Sequence, residues 1–183
     1  MKKLFVIITV ILAFMMIGSE CIFGSKDSEP HEISIDLSSP GATLQSLCHV
    51  YTVTRNIDEY KRLLVPSSYQ YYFDPNDVGQ IVQGYTIPAS WTYQEDVSAT
   101  GNMFNEAYRI ELTIPDATLP AYTTEFDQSL SEFRADNINI QLYLYPEDES
   151  FAYLAAGPCD FEFLKVGTAW QIKTWYDRTA SGG

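Results

Sequence analysis

The sequence predicts a single α+β domain, with helices first and a run of long antiparallel strands after them. Apolar residues recur at helical spacing between Ser39 and Leu64, whereas after Tyr108 they alternate with polar residues along several long stretches. Between the two halves, Asp74 to Ser90 is rich in proline, glycine and asparagine and breaks both patterns.

Ser39-Pro40 opens the first helix, because a serine side chain caps free N–H groups and proline suits the first turn. Leu44, Leu47, Cys48 and Tyr51 form the apolar stripe of an amphipathic helix ending near Asn56. Asp58 to Leu64 reads as a short second helix stopped by Pro66. Tyr69 to Phe73 is strand-like, Asp74 to Ser90 a long loop, and Ser90 the cap of a third helix with Trp91 and Phe104 near its ends. Tyr108, Ile110, Leu112 and Ile114 alternate with Arg109, Glu111 and Thr113, which marks a strand with one wet face. Ile138, Ile140, Leu142 and Leu144 alternate in the same way with Asn139, Gln141, Tyr143 and Tyr145. After a turn at Pro146 to Glu149, Phe151 to Lys165 forms one long strand. A bulge is expected at Gly157-Pro158, because proline cannot donate to a ladder. Gly167 turns the chain into the last strand, Trp170 to Tyr176.

At the N-terminus, Lys2 and Lys3 precede an apolar stretch from Leu4 to Ile17, followed by Gly18, Ser19, Glu20 and Cys21. A charged start, an apolar middle and small residues at the exit are the parts of a secretory signal. The stretch is shorter than the roughly 20 apolar residues that span a bilayer. Cys21 stands where bacterial lipoproteins carry their lipid, although Glu20 occupies a position usually held by a small residue. Lipidation at Cys21 and a plain secreted protein cleaved near Ser19 both stay open. The division expected is a signal at 1–21, a flexible tether at 22–36, one domain at 37–178 and a tail at 179–183. The protein is expected to be exported, in the cell envelope or secreted, and to touch a membrane only through its N-terminal segment.

Eleven basic and 24 acidic residues give a net charge of −13. Without Lys2, Lys3 and Glu20 the counts are 9 and 23, or −14. Such a polyanion is repelled by phosphate, which excludes nucleic acid as a partner. The 14% aromatic and 46% hydrophobic content is that of a chain with a packed core. Of the three cysteines, Cys48 and Cys159 both fall on predicted inward faces. An oxidising compartment permits a disulfide between them, and two buried free thiols is the alternative.

The motifs of hydrolytic and metal chemistry are missing. His31-Glu32 begins like a zinc-protease signature, but position 35 is Ile, and the only other histidine, His49, lies off the apolar stripe of the first helix. Asp74-Pro-Asn76-Asp77-Val-Gly79 starts like a calcium loop, yet Val78 and Tyr85 stand where ligands are needed, so it reads as a turn. No nucleophile elbow, phosphate loop or dinucleotide fingerprint is present, and no cofactor or metal is expected.

Three passages carry a family resemblance. They are Ser39-Pro40 with Tyr51 to Tyr60, then Leu63-Leu64 with Tyr69 to Asp74, and the terminal Trp170-Gln-Ile-Lys-Thr-Trp175-Tyr-Asp177-Arg178. In them the chain resembles the nuclear transport factor 2-like, or polyketide-cyclase-like, cone fold, in particular exported bacterial members of unassigned function. The resemblance implies helices wrapped by a strongly curved antiparallel sheet, with a pocket inside the cone. Catalytic members place a titratable group there, and the candidates weighed are Asp160 and Glu162. Their strand parity is opposite to Cys159, Phe161 and Phe163, so they are expected outside and solvated. Tyr71, Phe73, Trp91, Phe104 and Tyr143 are the candidate pocket residues, against the alternative that these rings simply fill the cone. The expectation is therefore an exported, non-catalytic cone domain that binds a small apolar ligand or a partner protein, with a homodimer through the sheet face among its partners. An isomerase, dehydratase or cyclase is the alternative.

Overall fold

A computed structural model of the protein describes residues 35–82, 84–115 and 130–178. The signal, Cys21, most of the tether and the tail lie outside them. Helix α1 spans Pro40–His49, with Ser39 Oγ accepting from the Ala42 N–H as its N-cap. The chain stays wound through a π-helical turn, Val50–Thr54, until Arg55 turns left-handed at φ 46° and ends it. Asn56 then caps α2, Ile57–Leu63, whose first turn is acidic and last turn basic, as the helix dipole favours.

The third helix starts later than expected. Strand β4, Ser90–Thr92, comes first, and Thr92 caps α3, Tyr93–Glu106, through a reciprocal capping box with Glu95. A capping box satisfies two N–H groups where Ser90 could satisfy one, and that places the helix start. The expected loop between Asp74 and Ser90 contains a short hairpin, β2 (Ile81–Val82) with β3 (Tyr85–Thr86), preceded by the predicted turn, in which Asp74 Oδ1 accepts from the Asn76 N–H at 2.7 Å.

Strands β1 (Gln70–Tyr72), β5 (Arg109–Thr113), β6 (Glu132–Tyr145), β7 (Tyr153–Val166) and β8 (Ala169–Asp177) join β4 in one six-stranded sheet of order β4-β1-β8-β7-β6-β5. All pairs are antiparallel except β1 with β8. The sheet is curved and unclosed, and the three helices pack in its hollow. Leu44, Leu47, Tyr60, Phe161, Trp170 and Ile172 form the completely buried centre. Thr43 Oγ1 ties α1 to the sheet by donating to the Trp170 carbonyl at 2.7 Å.

Two bulges set the curvature, and neither lies at Gly157-Pro158. In β6 the register shifts between Ala135 and Ile138, with Asn137 at φ 57°; in β7·β8 it shifts between Glu162 and Phe163. Pro158 pairs with Asn139 in register. Its carbonyl accepts from Arg178, one residue beyond the end of β8, so its missing N–H faces a side where the ladder has already ended.

Candidate functional site

The helices do not completely fill the cone. A cavity of about 60 Å³ remains, and its wall takes residues from all six strands, from α3 and from the π-helical turn. That volume holds about four waters, or a ligand of about four or five non-hydrogen atoms. The wall is mostly apolar and aromatic, with Tyr51, Tyr71, Trp91 and Trp175 on it.

Of the five pocket candidates, Tyr71 and Trp91 line this cavity. Phe73 packs edge-on against Trp91 in the second apolar cluster behind the wall. Phe104 is buried against Tyr51 and Tyr60 in the main core. Tyr143 lies on the other face of the sheet, stacked near Tyr145, because its strand parity is opposite to that of Leu142 and Leu144. Those three are therefore not lining residues. Cys48 and Cys159 are both free. Cys48 lies half-buried beside the Ile114 backbone and burial pushes its thiol up to about 11, while Cys159 is in the cavity wall next to Trp175. His49 is exposed, as expected.

Two carboxyls that the sequence did not single out occupy the cavity wall, Asp96 and Asp177. Asp96 sits on α3 in one stripe with Ala99, Thr100 and Met103 and is 4% exposed. Burial pushes its carboxyl up from 3.8 to about 7, even though the Tyr60 hydroxyl donates to Oδ2 at 2.5 Å and works in the opposite direction. Tyr69 lies close to the same carboxylate but makes no hydrogen bond of good geometry, and Tyr51 stands beside Tyr60 and Thr100. Asp177, at the end of β8, is raised to about 6, first by burial and then by the nearby carboxylates of Asp74 and Asp77. The Arg178 backbone N–H and the Tyr71 hydroxyl hold it down. Among the described residues no lysine, arginine or histidine lines the cavity.

The strand carboxylates behave differently from expectation. Asp160 does face outward, yet it is buried at 3% exposure instead of solvated. Arg134 donates to it at 2.8 Å, Arg178 pairs with it as well, and the Asn137 N–H of the β6 bulge donates to it at 2.9 Å. Glu162 is half-buried and takes Arg134 at 2.7 Å and Thr174 at 3.0 Å. Among the described residues no group of His, Cys, Asp and Glu has the arrangement of a metal site, and no helix is long and apolar enough to cross a membrane.

A scan against protein-family models finds no match, and a search of curated proteins finds none either. Solved structures do match. An NTF2-like superfamily protein of Salmonella enterica superposes with a TM-score of 0.54 at 11% identity, covering 77% of this chain and 89% of its own. A candidate dehydratase from the NTF2-like family of Streptomyces avermitilis gives 0.54 at 6% identity, over 78% and 94% of the two chains. A conserved protein of Planctomyces limnophilus gives 0.53 at 10% identity, over 74% and 89%. Identities this low speak for architecture and not for chemistry. Curved sheet, enclosed helices and these superpositions together identify the architecture of the chain as the NTF2-like fold.

Proposed function

We propose that the protein is an exported binding domain that holds one small molecule in the cavity of its cone. The observation supporting this is the cavity itself, apolar and aromatic on its walls and carrying two buried carboxyls with no cationic side chain among its lining residues. Cores close-pack by default and bury acids beside a counter-charge, so a hollow holding two acids with hydrogen-bond partners and no counter-charge is the mark of a site. At about 1.5 kcal/mol per atom, four or five atoms yield at most roughly 6–7.5 kcal/mol, which sets affinities at a few micromolar or weaker. Titrating n-propanol while following the Met103 and Ala155 methyl resonances tests the reading. Saturable shifts are expected in the native protein and none in Ala155→Leu, whose larger side chain fills the space; no shift in the native protein refutes it.

The same proposal gives the N-terminal segment its role: Leu4 to Ile17 directs export and Cys21 carries the lipid. Palmitate labelling that disappears in Cys21→Ser supports the anchor, and unlabelled protein in the medium means a plain secretion signal. A homodimer through the outer sheet face belongs to the proposal too, and sedimentation showing a monomer at micromolar concentration removes it.

Asp96 favours a second reading, proton transfer on the bound molecule. A carboxyl at about 7 in an apolar enclosure is matched to acid–base work at neutral pH. Exchange of the α-protons of a small ketone for deuterium, lost in Asp96→Asn, is the outcome this reading requires.

A further inference from the structure

Among the described residues that line the cavity, two are acids and none is a cation. Asp177 has Asp74 and Asp77 beside it, which are 2% and 5% exposed. Asp77 keeps Oδ2 buried without a hydrogen-bond partner, while its Oδ1 accepts from Gln80 Nε2 at 3.2 Å. Among the described residues neither Asp77 nor Asp177 has an ion pair; Arg178, next along the chain, turns its side chain to Asp160 instead. Buried carboxylates without a counter-charge are costly, and a cation in the cavity removes that cost.

An independent observation comes from Trp175, which lines the cavity at 6% exposure. Its Nε1–H has no hydrogen-bond partner of good geometry and lies near the thiol of Cys159, a weak acceptor. A buried indole N–H of this kind calls for an oxygen. Trp175 and Asp177 stand two residues apart on one face of β8, about 6–7 Å along the strand. That puts a carboxyl and an indole N–H on one wall, which a small ligand carrying both a nitrogen and an oxygen meets with one hydrogen bond each. Ethanolamine, with four non-hydrogen atoms, is such a ligand and suits a cavity of about 60 Å³. Tyr71 and Trp91 line the same cavity, and aromatic rings attract a cation held over their faces.

We propose that the ligand is a small hydroxyalkylammonium ion, its ammonium group held by the Asp177 carboxylate at the acidic end of the cavity and its oxygen accepting from Trp175 Nε1. The proposal rests on the small-molecule reading above. Asp177 faces Tyr71 from β1, Cys159 from β7, and Asp74 and Asp77 from the turn after β1; Asp96 faces Tyr51, Tyr60 and Tyr69. With only acids, a thiol and phenols around them, these carboxyls ionise between pH 5 and pH 8, and binding strengthens over that range.

The test titrates ethanolamine, ethylene glycol, O-phosphoethanolamine and n-propanol into the intact chain, read by the Met103 and Ala155 methyl resonances. At pH 8 O-phosphoethanolamine, with about eight non-hydrogen atoms, exceeds the cavity and is expected not to bind, while ethanolamine is expected to bind about ten-fold more tightly than ethylene glycol, which has its size and no charge. Its affinity is expected to fall about ten-fold in Asp177→Asn, about three-fold in Trp175→Phe, and on acidification to pH 5. Ethylene glycol binding as tightly as ethanolamine, or ethanolamine binding equally at pH 5 and pH 8, overturns the cation assignment and leaves the cavity a site for neutral molecules. The pH comparison needs no variant, so it decides even where Asp177→Asn fails to fold. A cavity that takes none of the four probes overturns both readings.

Discussion

Asp160 and Asp177 lie on neighbouring strands near the same end of the sheet, and both are buried. Asp160, on the outer face, has two arginines and a backbone N–H. Asp177, on the inner face, has a tyrosine, a backbone N–H and two further carboxylates, and Asp96 across the cavity has tyrosines only. The outer acid is partnered as a structural group must be: it pins the β6 bulge that curves the sheet. The inner acids are left with their charge unanswered, which marks an interior shaped for something other than its own stability.

Four measurements test that contrast. The largest effect is expected from Asp160→Ala, which leaves Arg134 and Arg178 facing each other and the Asn137 N–H unbonded. A loss of about 2–3 kcal/mol in urea denaturation at pH 7 is expected, below the usual cost of breaking a buried pair because both arginines are partly exposed. Asp96→Asn should act in the opposite direction. The folded-state value of about 7 lies above the ordinary 3.8, so the folded protein binds this proton more tightly and stability falls as pH rises between those values. The amide removes that loss, and the variant is expected to be more stable than the native protein by about 2 kcal/mol at pH 8, with the gain fading by pH 4. If Asp96→Asn instead destabilises at pH 8 as Asp160→Ala does, both acids are structural and the contrast collapses.

Tyr60→Phe removes the one hydroxyl donating to Asp96 with good geometry. It should cost about 1–2 kcal/mol at pH 8 and move the Asp96 titration, followed by carbon NMR of the carboxyl, above 7. The smallest effect is a null one. Since Cys48 and Cys159 are free, a thiol reductant should shift the melting temperature by less than about 1 °C. A larger drop means that the two thiols are bonded and that the β7 strand and α1 sit differently about the cavity.

Much of the fold was legible in the residues. Ser39-Pro40, the Leu44–Leu47–Tyr51 stripe and the alternation along Arg109–Thr113 and Ile138–Leu144 fall where helices and strands are found. The site was less so, for reasons that can be named. Asp96 falls in the buried stripe with Ala99, Thr100 and Met103, and the Thr92–Glu95 capping box was the signal that would have set its phase. Asp177 was hidden by the β7·β8 bulge. Trp170 and Ile172 point inward, and so do Trp175 and Asp177 after the shift, so counting parity from Trp170 puts Asp177 on the wrong face. Asp160 was assigned to the correct face, but nothing local foretold that Arg134 and Arg178 would cover it.

Caps, periodicity and composition act over a few neighbouring residues, so the helices-then-strands order, the acidic character and the signal-like start can be read from the residues alone. Which acids are answered and which are not is settled when the sheet assembles. That depends on two register shifts and on arginines 26 and 18 positions from Asp160, and on carboxyls 81 positions apart reaching one cavity. Burial and charge pairing are properties of the assembled sheet, and no single strand carries them.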